Sequence, residues 1–338
     1  MTTQTAPPEA TTKHERRKID DGVLRNLGLV GVLVLLIVVG IITKPDLYSD
    51  PTWVKNNFLT ILQQASAIGV VTVGMTFVII GGGIDLSVGA IIALAGVWAT
   101  TLATQSYGAG GMIFTALIVG IAVGLVNGVL ISYGKLVPFI ATLAMLVAAR
   151  GLAAQISGKQ TQISANSTIN SLASERLLGI PLLVWILALV VAAGWVLLNR
   201  TTFGRRTVAV GGNPEAARLA GINVKRHHML LYALSGLCCG IAAIMLTSQA
   251  TSAQAAMANL YELDAIAAAI IGGTLLSGGR GTIVGALFGV LVFSTITNLF
   301  AINNLSTEVQ NMVKGAIIVA AVLIQQFRYR SFTQLFKR

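Results

Sequence analysis

The chain is 338 residues long, 55% hydrophobic and only 10% charged, with a mean hydropathy of +0.80. So little polar side chain cannot cover the surface of a water-soluble globule of this size, which excludes a soluble fold and leaves an integral membrane protein. The formal net charge of +11 does not mark a nucleic-acid binder, because the basic residues lie between apolar runs and form no basic face with interleaved aromatics.

Residues 1–26 are polar and mixed in charge, with Pro7, Pro8 and a basic run from Lys13 to Lys18, and predict a disordered cytoplasmic tail. A first membrane span is placed at 27–43; no small-residue cleavage site follows Ile42, so the span is expected to be retained. Residues 44–57, with Pro45, Pro51 and Trp53, predict an exterior loop or a short interfacial helix, where tryptophan is favoured.

The second span, 58–80, carries Gln63 and Gln64 and runs into three glycines, Gly81, Gly82 and Gly83, followed by Asp85 and Ser87. The glycines permit a tight turn in which Asp85 caps a third span at 86–103, at the cytoplasmic edge. An acid here also has the chemistry to hold a cation or a proton. The fourth span, 112–132, sets Gly120, Gly124 and Gly128 on one face for close helix packing, with Asn127 alone among apolar neighbours. Pro138 opens the fifth span, which ends near Ile156 and carries Phe139, Thr142 and Arg150. In the polar loop 157–180, Gly158, Lys159 and Gln160 lack the Ser/Thr and the preceding glycine of a phosphate loop, so no nucleotide site is expected.

Spans six (182–198) and seven (229–248) bracket the one long polar segment, 199–228, in which Arg200, Arg205, Arg206, Arg218, Lys225 and Arg226 face a single acid, Glu215. Such a basic loop belongs in the cytoplasm. It contains a short helix with both ends marked: Asn213 as cap, Pro214 at the first position, Glu215 complementing the dipole and Gly221 as stop. Ala216, Ala217 and Ala220 keep this helix slim enough to enter a groove, into which a bulky residue at Ala217 would not fit. Cys238 and Cys239 are adjacent on one span, which suits neither a disulfide framework nor a metal site but suits small buried residues.

Residues 249–264 predict a polar exterior stretch with Tyr261, Glu262 and Asp264; the apolar run 265–276 that follows is short for a full crossing and is either a half-helix or borrows length from Leu260 onward. A second glycine turn from Ser277 to Ala286 leads to a ninth span ending near Phe300 and containing Asn298; a tenth, 309–327, contains Lys314, and a basic tail, 328–338, closes the chain. The turn at Gly278 echoes that at Gly82, with Val-Gly-Ala following in both. That is either a parallel internal duplication or a habit of glycine-rich membrane turns.

Ten spans put both termini on one side, and most of the 23 Lys and Arg residues then fall in the N-terminal region, the central loop and the C-terminal tail, which assigns that side to the cytoplasm. The three histidines, His14, His227 and His228, lie outside the expected spans, so no metal or triad chemistry is expected. Asp85, Glu262, Asp264 and Glu308 all fall at span ends, whereas an ion-coupled carrier needs carboxylates near the midplane. The neutral groups within spans, among them Gln63, Thr72, Asn127, Thr142, Gln249 and Asn298, suit a hydroxyl-rich solute or hold helices together. Arg150 and Lys314 either face an aqueous vestibule or snorkel to the interface.

Three patches carry a family resemblance: G-I-D-L-S-V-G from Gly83, V-P-F-I-A-T-L from Val137, and F-G-R-R-T-V-A-V-G-G-N-P-E-A-A-R-L-A-G-I from Phe203. Over about residues 58–327 the chain resembles the permease subunits of ribose-type bacterial ABC importers. The resemblance implies an all-α, polytopic fold of about ten transmembrane helices, like a type II importer permease, with residues 27–327 as the membrane domain. It implies a non-enzymatic subunit of the bacterial cytoplasmic (inner) membrane that pairs with a second permease copy as a homodimer or with a similar permease as a heterodimer, binds two ABC ATPase subunits holding ATP and Mg, and receives a monosaccharide from an extracytoplasmic binding protein. No cofactor is expected on this chain. Gly204, Arg205, Asn213, Pro214, Glu215, Ala216, Ala217, Arg218, Leu219 and Gly221 are the implied ATPase-coupling residues. Asn127, Phe139, Thr142, Arg150, Asn298 and Lys314 are candidates for the translocation path, and Gly82, Gly83, Asp85, Ser87 and Pro138 for turns and caps. A branched-chain amino acid or nucleoside permease, and a self-sufficient proton-coupled carrier, are the alternatives.

Overall fold

The computed structural model describes the backbone of residues 21–335 and the side chains of 25–323. Most of the expected N-terminal tail therefore lies outside the described residues. The first helix, α1 (Asp21–Thr43), is followed by a one-turn α2 (Pro45–Tyr48) and by α3 (Pro51–Ile80), whose N-terminus is closed by Asp50 accepting from the Thr52 amide. Residues 44–57, expected as an exterior loop or a short interfacial helix, thus hold α2 and the first two turns of α3, and Trp53 packs edge-on to Tyr48.

Beyond the glycine turn come α4 (Val88–Ala99), α5 (Leu102–Gln105), α6 (Gly108–Ser132) and α7 (Pro138–Ile156). The next connection holds α8 (Ser167–Ser171) and three short strands, β1 (Gln162–Ile163), β2 (Arg176–Leu177) and β3 (Ile180–Pro181). Helices α9 (Leu182–Arg200), α10 (Thr202–Gly212), α11 (Pro214–Leu219) and α12 (Val224–Ala250) follow. Strand β4 (Ser252–Ala253), α13 (Tyr261–Ile271), α14 (Ile283–Ile302) and α15 (Thr307–Leu335) complete the chain. Strand β1 pairs antiparallel with β4, and β2 with β3.

Among the described residues, α1, α3, α6, α7, α9, α12 and α14 are long and apolar enough to cross a membrane. The expected third and eighth spans are not of that kind: α4 has 12 residues and α13 has 11. At 1.5 Å per residue each reaches roughly 17 Å, about half of a ~30 Å hydrocarbon core. Helix α15 continues as one rod past residue 327, so the tail expected from 328 is helical as far as Leu335.

Helix α3 is the centre of the fold. It is apolar on all sides, and residues Ala65 to Ile80 are buried without interruption, which is how a helix surrounded by protein reads. Helix α12 packs on it, with α6 on the far side at backbone contact. A Cβ on Gly128 would stand 2.6 Å from the Met229 Cα, and one on Gly120 would stand 3.0 Å from the Gly240 amide. The glycines spaced by four on α6 thus remove the side chains that would hold the two axes apart.

Candidate coupling loop and membrane-interior turn

The central polar loop folds into two helices rather than the one expected. Helix α10 was not legible because its sequence is rich in glycine, threonine and valine, which are weak helix formers. What makes it helical is its inner face: Gly204, Thr207 and Val210 are buried while Arg205 and Arg206 are exposed. A Cβ on Gly204 would run into the Leu198 carbonyl, so the turn from α9 is tight enough to require glycine there. The Thr207 hydroxyl donates to the Phe203 carbonyl at 2.9 Å and therefore accepts from His227 Nε2, also at 2.9 Å, with the Phe203 ring 4.8 Å from the imidazole.

Helix α11 has the expected caps. Asn213 Oδ1 accepts from the amides of Glu215 at 3.1 Å and Ala216 at 3.0 Å, and Pro214 stands at the first helical position. Gly221 has φ +82°; its amide bonds the Arg218 carbonyl and the Ile222 amide bonds the Ala217 carbonyl, each at 3.0 Å, the two-bond termination that a left-handed residue permits. Arg218 forms a 2.6 Å ion pair with Glu215, and its hydrogen bonds, then its charge, hold the Glu215 carboxyl below the usual range. Both side chains are exposed, so the pair orders the surface more than it stabilises the fold. The structure corrects the role expected of Ala217. It is 4% exposed and faces the rest of the chain, whereas Leu219, at 75%, is the apolar residue the helix offers outward. Pro214, Ala216 and Ala220 are also exposed.

Helix α10 delivers this loop onto both glycine turns at once. The Gly279 amide donates to the Ile80 carbonyl at 2.8 Å. A Cβ on Gly211 would run into that same carbonyl; one on Gly278, φ +82°, would lie 2.7 Å from the Gly211 carbonyl oxygen and 3.0 Å from the Gly82 Cα. Three backbones, from the α3–α4 turn, the end of α10 and the α13–α14 turn, therefore meet with no side chain between them. Gly82 itself has φ +85°, and Gly83 faces the Tyr232 hydroxyl.

From this junction residues 81–87 climb the side of α12. The Gly81 carbonyl accepts from His228 Nε2 at 3.0 Å, the Ile84 carbonyl from the Tyr232 hydroxyl at 3.2 Å, and Asp85 Oδ2 from the Ser235 hydroxyl at 3.0 Å. From His228 to Ser235 is about 10 Å of helix. Asp85 is consequently fully buried near the middle of α12, and its expected place at the cytoplasmic edge is corrected. Nor does it cap α4 directly: Oδ1 accepts from the Ser87 amide at 3.0 Å and the Ser87 hydroxyl at 2.6 Å, while Ser87 is the N-cap residue and its hydroxyl takes a 2.8 Å bond from Asn127 Nδ2.

The N-terminus of α13 reaches the same region. A Cβ on Gly89 would lie 2.7 Å from Glu262 Oε2 and 3.4 Å from Arg150 Nη2, and Glu262 is 7% exposed. Asp85 and Glu262 stand at the ends of their helices, as expected, but those ends lie inside the protein because α4 and α13 are half-length. Asp85 and Glu262 are therefore buried acids, and contrary to the expectation from the sequence their place at helix ends does not by itself set aside an ion-coupled carrier.

Asn298 Nδ2 donates to Asn57 Oδ1 at 3.0 Å, joining α14 to α3, and the buried Thr142 hydroxyl returns to the Pro138 carbonyl of its own helix. Phe139 is 52% exposed in the first turn of α7, which Pro138 opens. Arg150 Nη1 donates to the carbonyls of Ala255 at 2.7 Å and Met257 at 3.3 Å; Lys314 pairs with Asp264 at 3.2 Å and lies 5.3 Å from the Phe293 ring centre. Both cations thus have hydrogen-bond or ionic partners within the protein. Cys238 and Cys239 are buried free thiols.

Compared with known proteins, the chain matches the family model described as "Branched-chain amino acid transport system / permease component" over residues 57–322. It is 41% identical to the ribose import permease protein RbsC of Bacillus subtilis (strain 168), covering 92% of this chain and 96% of that protein. It is 36% identical to the L-arabinose ABC transporter permease protein AraH of Azospirillum brasilense, over 89% and 87% of the two chains. Identity to the galactofuranose transporter permease protein YtfT of Escherichia coli (strain K12) is 33%, over 96% and 95%. No solved structure matches the chain.

Proposed function

The chain belongs to the family of branched-chain amino acid transport system permease components, among its ribose-type sugar permeases, and on that premise we propose that it is the membrane-spanning subunit of an ATP-binding-cassette importer that moves a monosaccharide into the cell. The observation that carries this reading is full-length similarity to three permeases named for different sugars. ATP and Mg belong to a separate ATPase chain, which docks on the exposed side of α11. A sugar-binding protein delivers solute at the opposite end, and a second permease copy completes the unit in the bacterial cytoplasmic membrane.

In this reading the chain crosses ten times with both termini in the cytoplasm. Residues 81–87 with α4, and residues 251–260 with α13, each make one crossing from an irregular stretch and a half-length helix. Discontinuous helices of this kind are tolerated where protein surrounds the free backbone groups. The junction of Gly82, Gly211 and Gly278 then connects the ATPase-facing loop to both half-helices without a flexible side chain between them, so movement of α11 is felt where the helices begin.

The test is the importer assembled in proteoliposomes from this chain, its ATPase and its binding protein. Binding-protein-stimulated ATP hydrolysis coupled to uptake of D-ribose, L-arabinose or D-galactose is expected. Uptake of L-leucine alone would move the chain to the amino acid branch of its family. A second reading, a proton-coupled carrier, draws on the buried carboxylates of Asp85 and Glu262; uptake by the purified chain without an ATPase, abolished by a protonophore, would establish it.

A further inference from the structure

At the end of α12 remote from α11 lies a cavity of about 250 Å³, lined by Gln249, Ser252, Gln254, Met257 and Tyr261 together with Leu246, Ala250 and Ala258. It falls just below the roughly 300 to 1,000 Å³ that drug-sized ligands occupy, which leaves room for one small ring. Its lining holds two side-chain amides, a hydroxyl and a phenol ring, and no Asp, Glu, Lys or Arg. Such a wall offers donors and acceptors in equal measure to the hydroxyls of a neutral solute and a ring face to its carbons. It offers nothing to the ammonium and carboxylate of an amino acid, which would lose their hydration without an ionic partner.

The wall is built and held. Thr251, Ala258 and Leu260 are non-glycine residues with φ of 50°, 53° and 65°, conformations that persist only where surrounding contacts impose them and that gather at functional sites. The imposing contacts are present. The β1–β4 pair fixes one end of the segment, Arg150 Nη1 reaches from α7 to the carbonyls of Ala255 and Met257, and the bare Cα of Gly89 lets the Ala258 carbonyl close against α4. The two amides are oriented as well: Gln249 Nε2 donates to the Gln63 carbonyl, and Gln254 Oε1 accepts from the Thr161 hydroxyl, each at 3.3 Å, so each keeps further capacity for a ligand.

Resting on the permease function proposed above, we infer that this cavity is a transit subsite for one neutral monosaccharide, with Gln249, Gln254 and Tyr261 contacting the sugar and Arg150 as the positioning residue that holds its wall. In the reconstituted importer, Gln254→Leu and Tyr261→Phe should each lower the maximal rate of D-ribose, L-arabinose or D-galactose uptake roughly fivefold, the effect of losing one ordinary hydrogen bond. Binding-protein-stimulated ATP hydrolysis should stay near the wild-type rate, so that fewer sugars move per ATP. Arg150→Ala should uncouple in the same way, and Arg150→Lys, which restores a donor for the carbonyls, should recover part of the loss. Neither first variant threatens folding: Gln254 is exposed and phenylalanine keeps the ring packed. Wild-type sugar uptake in both, or an ATPase rate that falls in step with uptake, overturns the subsite while leaving the permease function standing; a wild-type importer that moves none of the three sugars overturns both.

Discussion

The Gly279 amide bonds the Ile80 carbonyl at 2.8 Å across nearly two hundred residues of sequence, and Gly211 of α10 lies against that same carbonyl. The last carbonyls of a helix have no partner within it, so α3 uses the other glycine turn as its terminator, with the central polar loop seated on both. Gly211→Ala and Gly278→Ala should therefore push three backbones apart, and Gly278→Ala also strains φ by about 1–2 kcal/mol. Uptake is expected to fall at least roughly tenfold, about the effect of one misplaced backbone contact on a barrier, with the protein still inserted. Gly212→Ala, where a Cβ meets nothing within 4 Å, is the matched control and should transport normally.

Recovery of the ATPase on the purified chain reports the docking role of α11. Leu219→Asp should lower it, since this is the large exposed apolar residue of the helix. Asn213→Ala should weaken the helix by about 1 kcal/mol, and Gly221→Val by about 1–2 kcal/mol, both with partial loss. Glu215→Gln should have little effect. Ala217→Trp is expected to unseat the helix from its own chain, seen as protease sensitivity of the loop; unaltered ATPase recovery in the Leu219 and Gly221 variants together would remove α11 from the interface.

A reporter active only in the cytoplasm should work when fused after Arg206 or Arg338 and fail after Ser171, which lies in the α7–α9 connection. Activity after Ser171 would invert the proposed topology.

Asp85 receives three hydrogen bonds and faces no cation among the groups that bond it. Asn fits the same cage, with its oxygen toward Ser87 and its amide donating to Ser235. Asp85→Asn should then keep uptake within about threefold, and Asp85→Leu, which leaves the buried Ser87 amide without its acceptor, should destabilise by about 1–3 kcal/mol. Loss of uptake in a well-folded Asn variant would show that the charge itself is used and would favour the carrier.

Lys314 and Asp264 are each mostly buried, with side-chain exposures of 19% and 16%. Removing one partner leaves the other as an unpaired charge, so Lys314→Met should cost about 3 kcal/mol, read as a lower thermal midpoint of the detergent-solubilised protein. Adding Asp264→Asn should recover most of that midpoint; a double variant as unstable as the single would mean that the pair is not coupled.

By itself the sequence determined what is local. Hydropathy set the membrane class and the order of the apolar elements, because burial in lipid acts on each run of residues independently. Asn213, Pro214 and Gly221 announced α11, because caps are made within a few residues of the helix they close. Tertiary structure alone decided the depth of Asp85, the inward face of Ala217, the existence of α10 and the partners of Arg150 and Lys314. Each depends on groups that other elements bring: Ser235 lies 150 residues from Asp85 and the Ala255 carbonyl 105 residues from Arg150. The glycines show the division most plainly. Gly82 and Gly278 both read as turns from the chain alone, and their positive φ accounts for glycine at either; at Gly278, however, the backbones of Gly211 and Gly82 also lie across the gap, and no local pattern in the sequence encodes that.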